Sequence, residues 1–238
     1  MPIPGTMEGP RPQSEFASSP PAVQLWSGGK DSAMALWTAR QTGEADVQAL
    51  VTTVAGRIGR STWHGVRADL MRRQAAAIGL PLYELPIDDP YTMDELMGVI
   101  TAFLQSGTAA AYPAVVAGDL HVEVPRADLE RAITAAGKHS VFPLWGREIA
   151  ELARAVLAAG FRAIVVTVDT TRLDASFVGR DYDAAFLANL PEGIDPCGEL
   201  GEFHTFVWDG PIFREPVPVV RVRIAKRGPF AYCDLVPA

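Results

Sequence analysis

Cysteine is scarce in this chain: Cys197 and Cys233 are the only two among 238 residues. Two cysteines cannot build a disulfide framework, so free thiols in a reducing compartment are the expectation. No C-x-x-C pair occurs and the four histidines are scattered, which argues against a structural zinc site. No apolar run reaches the roughly 18 residues that a membrane-spanning helix needs. The first residues, MPIPGTMEGPRPQSEFASSPP, lack the charged-then-apolar pattern of a secretion signal. A cytoplasmic location follows as the expectation. Positive charge is also short: the net charge of −7 disfavours broad electrostatic binding of nucleic acid, and neither nucleic acid nor membrane is an expected partner. What is present in ordinary amount is apolar and charged residues, at 48% and 21%, so a wholly disordered chain is excluded.

Proline, glycine and serine crowd residues 1–21, which read as a flexible tail. Strand-like and helix-like stretches then alternate. Residues 22–26 are a short apolar run, 32–41 have helical spacing, and 46–54 are apolar and β-rich. Residues 68–78 form a helix that stops at Gly79 and Pro81, 82–87 a strand, 93–105 a helix and 114–118 a strand. This order predicts a doubly wound parallel sheet with helices on both faces, an α/β fold. In the second half, Ile149, Leu152, Ala153, Val156 and Leu157 make a helical stripe and 161–168 a buried strand. Residues 203–213 and 217–224 look β-like, so a second, smaller α+β domain is expected. The division is placed at 121/122, giving a nucleotide-binding domain over 22–121 and a substrate domain over 122–238.

Between the first strand and the first helix lies Ser27-Gly28-Gly29-Lys30-Asp31-Ser32. Adjacent glycines let backbone N–H groups approach an anion, and the helix start adds its dipole. Ser27 and Ser32 supply hydroxyl donors, and Lys30 supplies a point charge for phosphate oxygens. Asp31 is a candidate helix cap or magnesium ligand. The position after a strand, at the carboxyl edge of the sheet, is where such folds bind ligands. A plain strand-to-helix turn would explain the glycines but not the polar set around them.

A second cluster stands in DPCGELGEFHTFVWDGPIF, residues 195–213. Glu199, Glu202, His204 and Thr205 fall within seven positions, beside Gly198 and Gly201. Carboxylates next to a histidine suit proton transfer from an incoming amine, ammonium binding or metal binding; a solvated acidic turn is the plainer alternative. His64, in a loop over 57–65, and Asp119, at a strand end, are candidate substrate contacts. Asp169 also ends a strand on the binding side. Trp145, Phe206 and Trp208 read as core aromatics and Cys197 as a small buried residue.

The hexapeptide SGGKDS resembles the PP-loop of the ATP pyrophosphatases, a group with an adenine nucleotide α-hydrolase-like, Rossmann-like fold. The later segment resembles the signature G-E-N-G-E-[FY]-H-T-F-V-x-D-G-P-[IL]-F of the diphthine–ammonia ligase-like ATP-binding family. VFPLWG at 141–146, GFRAI at 160–164, and the stretch 173–183 with its L-D-x-x-F-x-G-R pattern agree with it. Gly118-Asp119-Leu120 is similar to the form associated with bacterial members. The resemblance covers residues 22–215. It implies an AMP-forming ligase that uses ATP and Mg²⁺, adenylylates a carboxylate and transfers ammonia to it, with an acceptor other than diphthine. Catalytic roles are then expected for Lys30, Glu199, Glu202 and His204; ATP binding for Ser27, Gly28, Gly29, Lys30, Asp31 and Ser32; and substrate contacts for His64, Asp119 and Thr205. The alternatives are a PP-loop tRNA-modifying enzyme, which the cysteine shortage and the acidity disfavour, and an ATP- or AMP-binding sensor without chemistry. A homodimer is left open. Two departures stand out: Leu200 replaces the usual Asn, and HVEVPR at 121–126 fits the family pattern only loosely.

Overall fold

The computed structural model describes residues 19–62, 64–118, 120 and 123–238, with the backbone alone for 123–125. The expected contact Asp119 and most of the expected tail lie outside the described residues. The first sheet is built from β1 (Pro21–Leu25), β2 (Asp46–Ala55), β4 (Leu82–Ile87), β5 (Ala114–Val116) and β6 (His139–Val141), all parallel in the order β4-β2-β1-β5-β6. The two-residue β3 (Arg60–Ser61) adds antiparallel to the end of β2. Helices α1 (Lys30–Thr42) and α2 (Ala68–Ile78) cover one face, and α3 (Met93–Gln105) and α4 (Glu123–Ala135) the other. The expected α/β class is therefore what the chain adopts.

Local chemistry accounts for these elements. Helix α2 presents Leu70, Met71, Ala75 and Ile78 to the core and ends at Gly79, whose φ of 81° gives the left-handed cap that glycine takes without strain. Helix α3 begins with a capping box, in which the Thr92 hydroxyl accepts from Glu95 N and the Glu95 carboxylate accepts from Thr92 N. Strand β5 is buried along its length and β1 through its middle three residues, as strands covered on both faces should be.

The second sheet is antiparallel. It holds β7 (Arg162–Asp169) and β8 (Asp181–Tyr182), then β9 (Phe203–Asp209), β10 (Val219–Arg227) and β11 (Phe230–Pro237). Strand β7 pairs with β9 on one edge and with β8 and β11 on the other, and β10 closes the far side. Helices α5 (Ile149–Ala158) and α6 (Ala184–Ala188) complete this α+β half. Its aromatic core (Phe177, Tyr182, Phe186 and Phe203) merges with the α1–α2 side of the first sheet into one cluster.

The first sheet runs on past residue 121, because β6 pairs with β5 and α4 packs on the same sheet. The short β3, β6, β8 and α6 escape the sequence reading, since two- to five-residue elements carry no periodicity, and the 13-residue α4 escapes it as well. Among the described residues, no helix is long and apolar enough to cross a membrane.

Candidate functional site

Winding reverses between β1 and β5: the chain leaves β1 for β2 and β4 on one side, then returns to β5 and β6 on the other. At that switch point the carboxyl ends of two neighbouring strands diverge and leave a crevice. The loop after β1, residues 27–32, sits there. Gly118, after β5, closes against it; a Cβ at Gly118 would stand 3.0 Å from the Asp31 carbonyl carbon and the Ser32 nitrogen. A cleft of about 980 Å³ opens over the loop. Its lining combines polar residues, among them Ser27, Asp31, Ser32 and His64, with apolar ones from β2, β4 and α3, among them Val51, Leu85, Leu96 and Ile100.

The loop is held by side chains from both sheets. Gly28 takes φ 78°, and a Cβ there would meet Gln74 Oε1 and Met71 Sδ at 2.8 Å. The carbonyl of Gly28 accepts from Val207 N at 2.9 Å, so the loop pairs with β9. Gln74, fully buried, accepts from Trp26 Nε1 at 3.0 Å and donates to the carbonyls of Gly28 (2.9 Å) and Val207 (2.6 Å). Ser27 Oγ donates to Ser32 Oγ at 3.1 Å, and Ser32 Oγ to the Gly29 carbonyl at 3.1 Å. Gln24 Nε2 reaches the Ser32 carbonyl at 2.6 Å.

Thr205 faces the loop as well: Lys30 N donates to its hydroxyl at 3.0 Å. Lys30 belongs to the lining of the cleft, but its side chain is turned into the protein. It is 2% exposed, and its ammonium donates to Asp31 Oδ2 (2.8 Å) and to the Cys197 carbonyl. The rings of Tyr182 and Phe203 lie 5.5 and 5.4 Å from it. Burial alone would lower the Lys30 pKa; Asp31 outweighs it, together with Cys197 and Glu199, and holds the ammonium above its ordinary range. The other Asp31 oxygen, Oδ1, is buried with no hydrogen-bond partner.

His64 and His204 stack with ring centroids 4.6 Å apart and planes at 18°. His64 Nδ1 lies 3.0 Å from the Thr205 carbonyl and, as the N–H tautomer, donates to it. The ring also rests against Gly29, where a Cβ would come within 2.6 Å of His64 Cε1. Burial, then the neighbouring charge of Lys30, brings His204 down to about 4. Burial and His204 push His64 well below the usual imidazole range. Both rings are therefore neutral at pH 7 and offer hydrogen bonds without charge.

The two glutamates part company. Glu199 lines the cleft, and its Oε2 accepts from Leu120 N at 3.4 Å, beside the β5 loop. Glu202, 2% exposed, turns toward Arg172, whose Nη1 is 3.8 Å from Oε1, while Oε2 is buried without a hydrogen-bond partner. The odd residue Leu200 is 54% exposed at the cleft rim, and its carbonyl accepts from Arg172 Nη1 at 3.0 Å. Among the described residues, no group of three or more His, Cys, Asp or Glu side chains stands ready for a metal ion. Cys197, pushed up to about 12 mainly by burial, is a buried free thiol.

Ser27 to Ser32, His64, Glu199, His204 and Thr205 thus meet around one cleft. Gln74 and Tyr182 support it from within the protein, through the Gly28 and Pro196 carbonyls, without a motif to announce them. A glutamine on the apolar face of α2 was the available signal for Gln74; for Tyr182 none exists beyond its place near the L-D-x-x-F-x-G-R stretch.

Comparison with known proteins follows the same two halves. Residues 21–145 match the family model of the diphthamide synthase N-terminal domain, and residues 148–236 that of the diphthamide synthase C-terminal domain. A diphthine–ammonia ligase of Danio rerio is 24% identical over 215 residues, 82% of this chain and 84% of that protein. A diphthine–ammonia ligase of Schizosaccharomyces pombe is 25% identical over 126 residues, 51% of this chain; the match spans only 21% of that longer protein. Among solved structures, one described as a predicted subunit of tRNA methyltransferase from Methanocaldococcus jannaschii aligns over 61% of this chain and 80% of its own. Its TM-score is 0.43 at 18% identity, too slight a likeness to carry an argument.

Proposed function

Since the chain belongs to the diphthamide synthase family, we propose that it is an ATP-dependent ligase that adenylylates a carboxylate, releases pyrophosphate, and converts the adenylate to an amide with ammonia. The observation that carries this reading is the pinning of the loop 27–32, at the β1/β5 switch point, onto the signature strand β9 through Thr205 and Val207. A phosphate loop and an acidic–histidine segment placed face to face serve a two-step reaction; a sensor needs only the first.

In this reading, the loop amides, Ser27, Ser32 and the start of α1 hold the triphosphate. The acceptor carboxylate attacks the α-phosphorus and pyrophosphate leaves. Ammonia then adds to the acyl carbon, a proton passes to Glu199, and AMP leaves. His64 and His204 orient the reacting groups as neutral partners, and Asp119 is retained as a substrate contact. Asp31 fits a magnesium ion, because its orphaned Oδ1 is an oxygen ligand of the right kind. Bound there with the phosphates, the ion would offset the charge that develops on pyrophosphate. The acceptor is a small-molecule or protein carboxylate.

The test supplies ATP, Mg²⁺, ¹⁵N-ammonium and a cell-extract metabolite pool to the purified protein. Mass spectrometry should find one product class carrying ¹⁵N as an amide, formed with AMP in equal amount. Sulfur- or nucleoside-modified RNA without any labelled amide would replace this reading with the tRNA-modifying one.

A further inference from the structure

We propose that Lys30 is a positioning residue: its ammonium holds the turn at 195–197, and through it Glu199, and does not bind the phosphates of ATP. The proposal rests on the ATP-ligase reading for what Glu199 does, but its geometry stands by itself. An ammonium has three donors. Two of those of Lys30 go to Asp31 Oδ2 and the Cys197 carbonyl, and the Tyr182 and Phe203 rings face it from 5.5 and 5.4 Å. Such ring faces favour a desolvated cation. Four partners therefore hold the ammonium inside the protein.

The turn that Lys30 grips is fixed from other directions as well. The Tyr182 hydroxyl donates to the Pro196 carbonyl at 2.8 Å. Cys197 N donates to Asp195 Oδ1 at 2.7 Å, and Gly198 N to the Asp195 carbonyl at 2.9 Å. Cys197 Sγ reaches the Ile149 carbonyl at 3.6 Å. Glu199 follows two residues after the gripped carbonyl and meets Leu120 N across the cleft. Lys30 is also held at its backbone, where N donates to Thr205. One residue of the phosphate loop therefore ties two separate parts of the second half to it: β9 through the backbone and the 195–197 turn through the side chain. Phosphate binding is left to backbone N–H groups, the two serines and the α1 terminus.

The experiment compares wild type, Lys30→Met and Lys30→Arg by calorimetric titration with ATP, by hydrogen–deuterium exchange over 195–202, and by the rate of AMP formation. In Lys30→Met, the ATP dissociation constant should stay within about threefold of wild type, exchange over 195–202 should rise, and AMP formation should fall by about a hundredfold or more. Lys30→Arg, which keeps the charge and the ring contact, should recover part of the protection and part of the rate. A loss of ATP affinity of about tenfold or more, with unchanged exchange over 195–202, would make Lys30 a phosphate ligand and overturn the proposal. Should Lys30→Met not fold, Tyr182→Leu removes the hydroxyl on Pro196 and one ring without touching the loop. It should raise exchange over 195–202 at unchanged ATP affinity; wild-type exchange there would contradict the grip. If the wild-type protein takes up no ATP at all, the ligase reading fails, and the exchange data still decide what Lys30 holds.

Discussion

The two sheets of this molecule contribute to its cleft in opposite ways. The first delivers a contiguous piece: six successive residues, Ser27 to Ser32, placed by one strand and one helix at a topological switch point. The second delivers single contacts from far along the chain. Thr205 reaches Lys30 across 175 positions, Val207 meets Gln74 across 133, and Cys197 meets Lys30 across 167. A local site can be recognised by its spacing, whereas a site assembled from distant pieces shows itself only when the fold closes. The cleft is a joint between those two kinds of construction, and each can be broken separately.

The largest effect is expected from breaking the local piece. Gly28→Val forces a branched side chain into φ 78° and against Gln74 and Met71. Left-handed strain and overpacking together should cost about 2–4 kcal/mol. Thermal unfolding should show that loss, and ATP titration should show no binding.

Next comes the neutral joint. Gln74→Leu keeps the volume but strands Trp26 Nε1 in the interior and takes one donor each from the carbonyls of Val207 and of Gly28, the latter still bound by Val207 N. Each buried group left unpaired costs about 1–3 kcal/mol, so the variant should lose about 2–3 kcal/mol in denaturant unfolding after relaxation. That loss should be the same at pH 5 and pH 8, because no titrating group is involved.

The charged joint should behave differently. Asp234 of β11 accepts from Arg60 Nη2 at 2.7 Å and from Arg67 Nη2 at 2.8 Å, tying the β3–α2 segment to the second sheet. Hydrogen bonds from Arg67, then Arg60, hold its carboxyl down at about 2, against an ordinary 3.8. A depressed carboxyl contributes stability that is complete above its unfolded pKa and is lost as pH falls through the folded one. Asp234→Asn should therefore cost about 1–2 kcal/mol at pH 7, with allowance for the exposed arginines. The gap from wild type should close between about pH 4 and pH 2 in urea titrations. A gap that persists at pH 2 would mean that Asp234 acts through shape rather than charge.

The same contrast explains what was legible in the sequence. Helices α2 and α3 and strand β4 are readable residue for residue, because explicit boundary signals flank them, such as Gly79 after α2, Pro81 before β4 and Thr92 at the start of α3. The glycine-rich loop at 27–32 and the cluster at 199–205 are legible as motifs, and the structure brings the loop together with Glu199, His204 and Thr205 at one cleft. Lys30 shows where such reading ends: a lysine after two glycines suggests a phosphate ligand, and only the folded chain turns its ammonium toward Cys197. Glu202 was grouped with Glu199 by spacing, yet the approach to β9 sends it to Arg172 instead. The continuation of the first sheet through β6 was hidden as well, since three residues pairing with β5 leave no pattern of their own.

The most direct test of the whole account follows ATP by ³¹P nuclear magnetic resonance in the presence of the protein, Mg²⁺, ammonium and the metabolite pool. Resonances of AMP and pyrophosphate should grow together in wild type and be absent with Gly28→Val. Growth of ADP and inorganic phosphate instead, or AMP formation that survives Gly28→Val, would contradict an α–β cleavage site built on the loop at residues 27–32.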